Sequence, residues 1–385
     1  MEKIHSLGQY FTINIKLQEK VYEFIKNKPK IILEPSVGRG DLVNYIIKKE
    51  EIKFVMYEID KKIEPLSSIK KTDIIYENFL DFTINEKFKT IIGNPPYVKT
   101  KKGNLYLDFI EKCYNLLEKK GELIFIVPSM FLKMTSSSKL IKRMLKEGTF
   151  THIYHPNNEK LFKYASVDVI VFRYCKDNSL LNKTIYNNKT LVLNNTDGII
   201  TFNEENEIKK EKISDYFKIY VGMVSGREEV FKNNKFGNIE ILNKENIIDK
   251  YILINKFPTE NKELNRYLLE NKEKLIKRKI RKFGESNWFE WGGLRNIVKV
   301  KKNLGKKCIY ISNISRKDKI AFIGEVKYFG GGLLMLIPLE NKINLKKICD
   351  YLNSDKFKNH YKYSGRFKVG QRQLCNHLIE IKYIY

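Results

Sequence analysis

The chain has 385 residues, of which 42% are hydrophobic and 12% aromatic, so it has enough apolar side chains for two or three packed domains. Five scattered cysteines without a CxxC pair argue against a zinc site or a disulfide framework. No apolar run approaches the roughly 18 residues of a membrane span, so a cytoplasmic protein is expected. The net charge is +27, and residues 251–385, with 30 basic and 12 acidic residues, carry +18 of it. This excess favours nucleic acid as the partner of the C-terminal part.

The first 175 residues predict alternating strands and helices. Continuously apolar runs predict strands at Lys30–Glu34, Phe54–Glu58, Thr90–Gly93 and Leu123–Val127. Helices are predicted at Asp41–Lys49 and at Leu105–Lys119, where Gly121 ends the second one. A further strand at Val167–Arg173 is predicted to form a hairpin with His152–Tyr154. Buried strands separated by helices indicate an α/β fold with a mostly parallel sheet that is covered on both faces.

Two elements at the start of this sheet predict a nucleotide-like cofactor. The first strand ends in a turn that contains Gly38 and Gly40, where a ligand can approach the backbone next to a helix N-terminus. The second strand ends at Glu58, 24 residues after Glu34, where an acid accepts hydrogen bonds from ribose hydroxyls. Asp60 competes with Glu58 for this role. S-adenosylmethionine fits the pattern better than a dinucleotide, because the third glycine of a pyrophosphate loop is missing.

The tetrapeptide Asn94-Pro95-Pro96-Tyr97 follows the predicted strand Thr90–Gly93, at the edge of the sheet where ligands bind. Two adjacent prolines stiffen this turn. The Asn94 side-chain oxygen and the Pro95 carbonyl are therefore predicted to accept hydrogen bonds from one planar amino group, while Tyr97 stacks on the substrate. Amino groups of bases are poor nucleophiles, so positioning has to supply most of the rate.

The order of these motifs resembles the gamma class of adenine-N6 DNA methyltransferases, the TaqI-like group of the class I S-adenosylmethionine-dependent methyltransferases. The resemblance covers residues 5–175 and rests on GQYFT, ILEPSVGRGDL, YEID, ENFLDF, NPPY, GELIFIVPSMFL and LFKYASVDVIVF. It continues more loosely in VGMVSGREEVF and in the tail LNSDKF…SGRFKVGQRQL. The resemblance implies a Rossmann-like catalytic domain with an antiparallel C-terminal hairpin, followed by an α+β target-recognition domain.

The resemblance also implies a role for each matching residue. Residues of the first five motifs would bind the cofactor: Tyr10, Phe11 and Thr12 over its methionine end, Glu34, Pro35 and Gly38 along its methionine side, Glu58 at the ribose, Ile59 and Phe79 at the adenine ring, and Asn94 beside them. Asn78 stands where the family usually has an aspartate that binds the adenine amino group. Its amide oxygen can still accept that bond, and Asp81 is the alternative.

The target adenine has to leave the duplex to reach Asn94, because its amino group is paired and stacked inside the helix. Tyr97 follows from the NPPY motif, and Phe162 matches the family's second aromatic that packs against the flipped base. Core packing is the alternative interpretation of Phe162.

The C-terminal half offers several candidate DNA contacts. Residues 272–282 (KEKLIKRKIRK) are either a solvated helix face or a phosphate-tracking segment. Trp288 and Trp291 either pack a core or form part of the DNA face. Arg316, Arg366 and Arg372 are candidate contacts to the backbone or to guanine. The polar, Asn-rich residues 181–212 predict a linker between a catalytic domain at 1–180 and a basic recognition domain at 213–385.

The sequence therefore predicts a site-specific, adenine-N6 DNA methyltransferase of restriction–modification type, acting as a monomer on double-stranded DNA without a metal, with a companion restriction endonuclease as a second partner. The alternatives are methylation of cytosine N4, of ribosomal RNA guanine N2 or of protein glutamine N5, which other NPPY-type enzymes perform. A fused nuclease, suggested by Glu325 and Lys327 with Asp318 upstream, and a non-catalytic DNA-reading subunit are the remaining hypotheses.

Overall fold

The computed structural model describes residues 10–100, 103–162, 166–180, 182–204, 210–363 and 366–385. The chain divides near residue 207 into two compact units, which are described separately below. Gly8 and Gln9 of the leading motif, residues 163–165 of the LFKYASVDVIVF segment and residues 364–365 of the C-terminal tail motif lie outside the described residues.

The N-terminal unit is built on one ten-stranded sheet with the spatial order β10-β9-β8-β6-β7-β5-β4-β1-β2-β3. The strands are β1 (Ile31–Glu34), β2 (Lys53–Tyr57), β3 (Ile74–Ile75), β4 (Phe88–Gly93), β5 (Leu117–Pro128), β6 (Thr149–Tyr154), β7 (Val169–Cys175), β8 (Lys183–Tyr186), β9 (Lys189–Thr196) and β10 (Ile199–Asn203). The five strands β1 to β5 pair in parallel with one another. Their carboxyl ends therefore meet at one edge of the sheet.

In the described part of this unit, four helices cover the two faces of the sheet: α1 (Ile15–Phe24), α2 (Asp41–Ile47), α3 (Leu105–Leu116) and α4 (Thr135–Glu147). Side chains alternate along each strand, so neighbouring residues serve opposite faces. Ile92 and Ile124 pack with α1 and α2, whereas Ile91 and Leu123 pack with α3 and α4. This two-sided burial explains why the strands are continuously apolar in sequence.

The predicted antiparallel hairpin is present, because β7 lies between β5 and β6 and runs antiparallel to both. His152 pairs with Arg173 and Ile153 with Phe172 in this hairpin. The fold class predicted from the sequence is confirmed: a mixed α/β architecture on a large, mostly parallel sheet. The predicted helix end is displaced, since α3 ends at Leu116 and Gly121 lies within β5. Lys120, also within β5, has a φ of +62°.

The predicted linker at 181–212 is wrong for most of its length. Residues 183–203 form β8, β9 and β10, and β8 pairs in parallel with β6, so they extend the sheet. Two tight turns connect these strands, with positive φ at Asn187 and Asn188 and again at Asp197 and Gly198. Such residue pairs are typical of two-residue hairpin turns, so the Asn-rich composition comes from turns and not from a linker.

The C-terminal unit combines short antiparallel sheets with short helices. Its strands are β11 (Lys210–Lys212), β12 (Phe217–Val221), β13 (Ile239–Lys244), β14 (Ile247–Tyr251), β15 (Lys307–Ser312), β16 (Ile314–Ser315), β17 (Ala321–Glu325), β18 (Leu333–Pro338), β19 (Lys362–Tyr363), β20 (Arg366–Lys368) and β21 (Leu378–Glu380). Its helices are α5 (Glu228–Phe231), α6 (Lys262–Glu270), α7 (Lys272–Ile276), α8 (Ile297–Lys301), α9 (Leu345–Asn353), α10 (Asp355–Asn359) and α11 (Gln371–Cys375).

Four of these strands form a sheet with the order β12-β18-β15-β17, and three others form a small sheet with the order β16-β20-β19. Asn353 of α9 ties that helix to β17 by accepting from and donating to the backbone of Ala321. The unit is therefore of the α+β type that the sequence predicts. In the part of the chain that the structure describes, no helix has the length and apolar character needed to cross a membrane.

Candidate active site

A cavity lies at the carboxyl ends of β1, β2 and β4 in the N-terminal unit. It brings together residues from five separate sequence motifs. Every residue predicted to bind the cofactor lines it: Tyr10, Phe11, Thr12, Glu34, Pro35, Gly38, Glu58, Ile59, Asn78, Phe79 and Asn94. Other lining residues were not predicted: Asp41 lies within one of these motifs, and Ile63, Leu105 and Phe109 lie within 12 residues after one. Proximity along the chain to a motif was the only indication available for them.

The turn after β1 requires glycine at two positions. Gly38 and Gly40 have φ values of +56° and +83°, in the left-handed region that other residues avoid. A Cβ on Gly40 would lie 1.9 Å from Ile69 Cδ1, so any side chain there would displace Ile69. The Gly38 amide donates to Glu58 Oε2 at 2.9 Å, which joins this turn to the end of β2.

Glu58 lies directly after β2 and is buried, and two backbone amides hold its carboxylate. Gly38 N donates to Oε2 at 2.9 Å and Asp60 N donates to Oε1 at 2.9 Å. Burial raises the pKa of Glu58 above its usual value, and the two amide bonds oppose this shift. Asp60 does not line the cavity but orients Glu58 through its backbone, so the geometry favours Glu58 for a ligand hydroxyl. Ile59 beside it is 58% exposed, which leaves an apolar side chain available to a ring.

Glu34 is only 2% exposed and lies at the end of β1 in the same cavity. Burial, together with the nearby Glu58 charge, raises its pKa to about 8. The Ser36 amide donates to its Oε1 at 3.1 Å and partly stabilises the charged form. A buried carboxyl group with a raised pKa gains most from a cationic ligand, because a nearby positive charge favours ionisation.

Asn78 and Asp81, the two candidates for one role, are hydrogen-bonded to each other. Asn78 Nδ2 donates to Asp81 Oδ2 at 2.5 Å, and Asn78 Oδ1 accepts from Leu80 N at 3.2 Å. Asn78 lines the cavity, whereas Asp81 does not and is exposed. Asn78 is thus placed for a ligand, and Asp81 contacts the ligand site only through Asn78.

The Asn94 amide follows β4 and is held from both of its ends. Its Nδ2 donates to the Tyr10 carbonyl at 2.7 Å and to Thr12 Oγ1 at 3.0 Å. Its Oδ1 accepts from the Tyr97 hydroxyl at 2.5 Å. Because both amide hydrogens are engaged by residues 10–12, the amide cannot flip without losing both bonds. The leading motif therefore contacts Asn94 directly, which the sequence analysis did not predict.

Aromatic rings surround the turn that Asn94 begins. The Tyr97 ring centroid lies 5.3 Å from that of Tyr10, 6.1 Å from Tyr106 and 6.3 Å from Phe162. Phe162 is 5% exposed and also packs against Tyr10 at 5.8 Å. Burial raises the pKa of the Tyr97 hydroxyl well above its usual value, so this group is a neutral donor. The structure thus brings Phe162 to the NPPY turn, as a packed ring.

The two tryptophans do not lie on an exposed face. Trp288 and Trp291 are 3% and 4% exposed and belong to the core of the C-terminal unit. This contradicts the prediction that they contact DNA. Arg278 holds the segment that contains both tryptophans, since its buried guanidinium donates to the carbonyls of Trp288, Glu290 and Ser225. The basic run at 272–282 therefore supplies a structural arginine.

Other cations of that run are paired with acids. Lys272 contacts Glu285 at 2.5 Å, and Arg281 contacts Glu290 at 2.6 Å. Lys277 pairs with Glu273 one helical turn earlier, at 3.1 Å. These pairs neutralise much of the charge that had suggested a phosphate-tracking segment.

Four cations at the small sheet β16-β20-β19 differ from those of the basic run. Arg316 and Lys317 directly follow β16, and Arg366 and Lys368 lie in β20. All four are exposed, and none makes an ion pair with another described residue. Ile314 pairs with Lys368, and Ser315 pairs with Phe367, whose side chain is buried. We call Arg316, Lys317, Arg366 and Lys368 the basic ribbon. Arg372 lies in α11 and is only partly exposed, so it is not part of this surface.

The residues proposed for a nuclease do not form an acidic cluster. Glu325 pairs with Lys307 at 3.0 Å on the neighbouring strand, and this contact lowers the Glu325 pKa. Among the described residues, no group of three or more His, Cys, Asp or Glu side chains is arranged to hold a metal ion. The nuclease alternative therefore gains no support from the described part of the chain.

Comparisons with known proteins agree with this site. Residues 13–162 match the family model of the Eco57I restriction-modification methylase. The chain is 27% identical to the type II methyltransferase M.HindII of Haemophilus influenzae, over 94% of this chain and 86% of the relative. It is 32% identical to the type II methyltransferase M.HincII of Haemophilus influenzae, over 47% of this chain and 40% of the relative.

Among solved structures, the type IIL restriction-modification enzyme MmeI in complex with DNA aligns with a TM-score of 0.56 and 12% identity. The alignment covers 97% of this chain and 64% of MmeI, so the chain spans less than two thirds of that enzyme. This likeness supports the fold of both units. The predicted resemblance to methyltransferases of restriction–modification type is confirmed, and so is S-adenosylmethionine as the cofactor. The gamma-class assignment and the roles of individual residues stay predictions.

Proposed function

We propose that the chain transfers a methyl group from S-adenosylmethionine to the exocyclic N6 of a flipped adenine in duplex DNA, as an enzyme of gamma-class type. The observation that carries the proposal is the Asn94 amide, which is anchored through Nδ2 at the carboxyl end of β4 and borders the cavity. This anchoring leaves Oδ1 as the atom that meets a substrate. An oriented carbonyl oxygen is what an amino group requires in order to be held in place.

The residues of the cavity fit the cofactor. Glu58 accepts hydrogen bonds from the ribose hydroxyls with the lone pairs that Gly38 and Asp60 leave unused. Glu34 faces the ammonium group of the methionine part, whose positive charge offsets the cost of a buried carboxylate. Ile59 and Phe79 flank the adenine ring, and Asn78 accepts a bond from its amino group. When bound, S-adenosylmethionine supplies an electrophilic methyl group on a sulfonium sulfur.

Asn94 and Pro95 position the target nitrogen. Asn94 Oδ1 and the Pro95 carbonyl accept the two amino hydrogens, which turns the nitrogen lone pair away from the base ring and toward the methyl group. In the structure, the Tyr97 hydroxyl already donates to Asn94 Oδ1. The target amino group therefore replaces this hydroxyl as the donor to Oδ1, and the single Tyr97 hydroxyl proton turns to the Ile126 carbonyl, 3.0 Å away.

The aromatic rings around the turn receive the flipped base. Removing an adenine from the duplex costs a few kcal/mol, and stacking on aromatic side chains offsets part of this cost. Tyr97 supplies the stacking face, while Phe162 and Tyr10 pack behind it. This places the reacting nitrogen next to Asn94 and excludes water from its environment.

The basic ribbon of the C-terminal unit is the proposed DNA contact. Its cations are exposed and form no ion pair with any residue that the structure describes, so they are available to phosphates. Ile314, which is 52% exposed, adds an apolar side chain between them. Arg316 and Arg366 retain the predicted role here, whereas Trp288 and Trp291 lose it.

Methylation of unmodified genomic DNA tests the proposal. Full-length protein is incubated with radiolabelled S-adenosylmethionine and separate pools of genomic DNA, total RNA and protein, and the DNA is digested to nucleosides. Label in N6-methyladenine within one short sequence context is expected, and Asn94→Ala should remove it while cofactor binding persists. Label in N4-methylcytosine, or only in RNA or protein, would refute adenine-N6 methylation of DNA.

The biological setting remains a further prediction. A restriction–modification system would supply a companion endonuclease that cleaves the same site when it is unmethylated. Co-expression of the chain should then protect DNA from that nuclease, and resistance of the methylated genome to digestion measures this directly.

A further inference from the structure

Asp81 lies outside the cofactor cavity but is bonded to a residue that lines it. Asn78 Nδ2 donates to Asp81 Oδ2 at 2.5 Å, and Asp81 N donates back to the Asn78 carbonyl at 3.0 Å. The other end of the Asn78 amide, Oδ1, accepts from Leu80 N at 3.2 Å. The amide is thus bonded at both ends in one orientation only.

A primary amide has two orientations of nearly equal shape, which differ only in the positions of oxygen and nitrogen. An ionised carboxylate can only accept hydrogen bonds, so Asp81 requires the NH2 group on its side. A flipped amide would place Oδ1 against the Asp81 carboxylate and NH2 against the Leu80 amide. Both hydrogen bonds would be lost, because acceptor would face acceptor and donor would face donor. Bonds to ionised groups are also the stronger ones. Asp81 therefore determines that oxygen is the atom that Asn78 offers to a ligand.

We infer that Asp81 is a positioning residue that sets the nucleobase specificity of the cofactor site. With Oδ1 fixed, Asn78 accepts a bond from the amino group of adenine and repels the carbonyl oxygen that hypoxanthine has at the same ring position. Without Asp81 only the Leu80 amide still favours this orientation, so the amide turns over more readily and can then donate to that oxygen. The inference depends on the proposed cofactor contacts and is independent of DNA as the substrate.

Calorimetry with the product of methyl transfer and a deaminated analogue of it tests this inference on the full chain. The ligands are S-adenosylhomocysteine and S-inosylhomocysteine, which carries a ring carbonyl and an N1 hydrogen in place of the amino group. The unmodified protein should bind the adenine form at least about tenfold more tightly, since one lost hydrogen bond corresponds to roughly a factor of ten. Asp81→Ala should reduce this preference to within about threefold. A purely structural loss would instead weaken both ligands alike and leave the ratio unchanged.

The exchanged pair Asn78→Asp with Asp81→Asn is the rescue variant. Its carboxylate at position 78 again presents only acceptors to the ligand, so the preference for adenine should return. Asp73→Ala, an exposed aspartate outside the cavity, is the matched control and should keep the full preference. If Asp81→Ala lowers the melting temperature too far for calorimetry, Asp81→Asn decides the question, because the side chain at position 81 can then turn over together with Asn78.

The outcomes separate the inference from the proposed function. An Asp81→Ala protein that binds with undiminished preference would overturn the role of Asp81. Equal binding of both ligands by the unmodified protein would show that Asn78 does not contact the base. Failure of the unmodified protein to bind S-adenosylhomocysteine at all would instead remove the cofactor site itself.

Discussion

Thr12 is the residue whose removal should separate catalysis from cofactor binding. Its hydroxyl accepts one of the two Asn94 amide hydrogens at 3.0 Å, and it is 4% exposed, so water cannot replace it easily. Thr12→Val keeps the shape of the side chain but leaves that hydrogen without a partner. The Tyr10 carbonyl, at 2.7 Å, still holds the other hydrogen. We therefore expect the Asn94 amide to stay in place but to be held less rigidly, since only the Tyr10 carbonyl still fixes its NH2 group.

The magnitude follows from the cost of an unpaired buried donor, about 1–3 kcal/mol. Each 1.4 kcal/mol corresponds to tenfold in rate, so the single-turnover methylation rate should fall about 5- to 150-fold. Thr12→Ser keeps the acceptor and should retain most of the rate. The dissociation constant for S-adenosylmethionine should change little in either variant, because the bond concerns Asn94.

Rapid-quench methylation under single-turnover conditions, paired with calorimetry of cofactor binding, measures both quantities. A Thr12→Val enzyme with more than half of the original rate would show that the hydroxyl does not position Asn94. Loss of cofactor affinity at an unchanged rate would assign Thr12 to the cofactor instead, as the resemblance to the family implies.

Three further predictions concern the two units. The pKa of Glu34 is about 8 in the free protein, and a bound ammonium group lowers it, so a proton must leave when S-adenosylmethionine binds. The affinity for S-adenosylmethionine should therefore rise up to about tenfold per pH unit between about pH 6 and pH 7.5. Calorimetry should show no such rise for Glu34→Gln. Tyr97→Phe removes the hydroxyl that competes for Asn94 Oδ1 but keeps the stacking ring, so the single-turnover methylation rate should stay at or above the original rate. Tyr97→Ala removes the ring as well and should abolish methylation in the same assay. Replacing Arg316 and Arg366 together by alanine should reduce the slope of log K for duplex binding against log salt by about two, since each phosphate contact contributes roughly 0.9. Fluorescence anisotropy at several salt concentrations measures this slope. The control is Lys277→Ala, which removes a lysine that is paired with Glu273, and a slope equal to that of the control would exclude the two arginines as DNA contacts.

The parts of the fold that depend on side-chain periodicity could be predicted from the sequence. Strands such as β4 and β5 are buried on both faces, so their apolar runs identify them without reference to the rest of the chain. Glu34, Pro35, Glu58 and Asn94 could be assigned because they lie at or directly after the ends of parallel strands, and such ends meet at one edge. Tyr10, Phe11 and Thr12 precede the first strand and could be assigned only through the resemblance of their motif. The NPPY turn comes to the same cavity for the same reason.

Other features depend on long-range partners that composition does not reveal. The basic run at 272–282 gives no indication that Arg278 is buried against the carbonyls of Ser225 and Trp288. The bond between Asn94 and Thr12 joins residues 82 positions apart. The Asn187-Asn188 and Asp197-Gly198 turns were recognisable in the sequence, but their polar surroundings concealed the strands on either side.

The hairpins formed by residues 183–203 determine where the catalytic unit can be cut. In the full chain, β8 covers β6, which would otherwise leave a row of free backbone amides and carbonyls at the end of the sheet. A fragment that stops at residue 180 would uncover that row, and uncovered strands of this kind pair with other molecules. A fragment that continues to residue 204 keeps β6 paired and confines the open end to β10, a strand of five residues. The shorter fragment should therefore associate with itself at concentrations where the longer one stays dispersed.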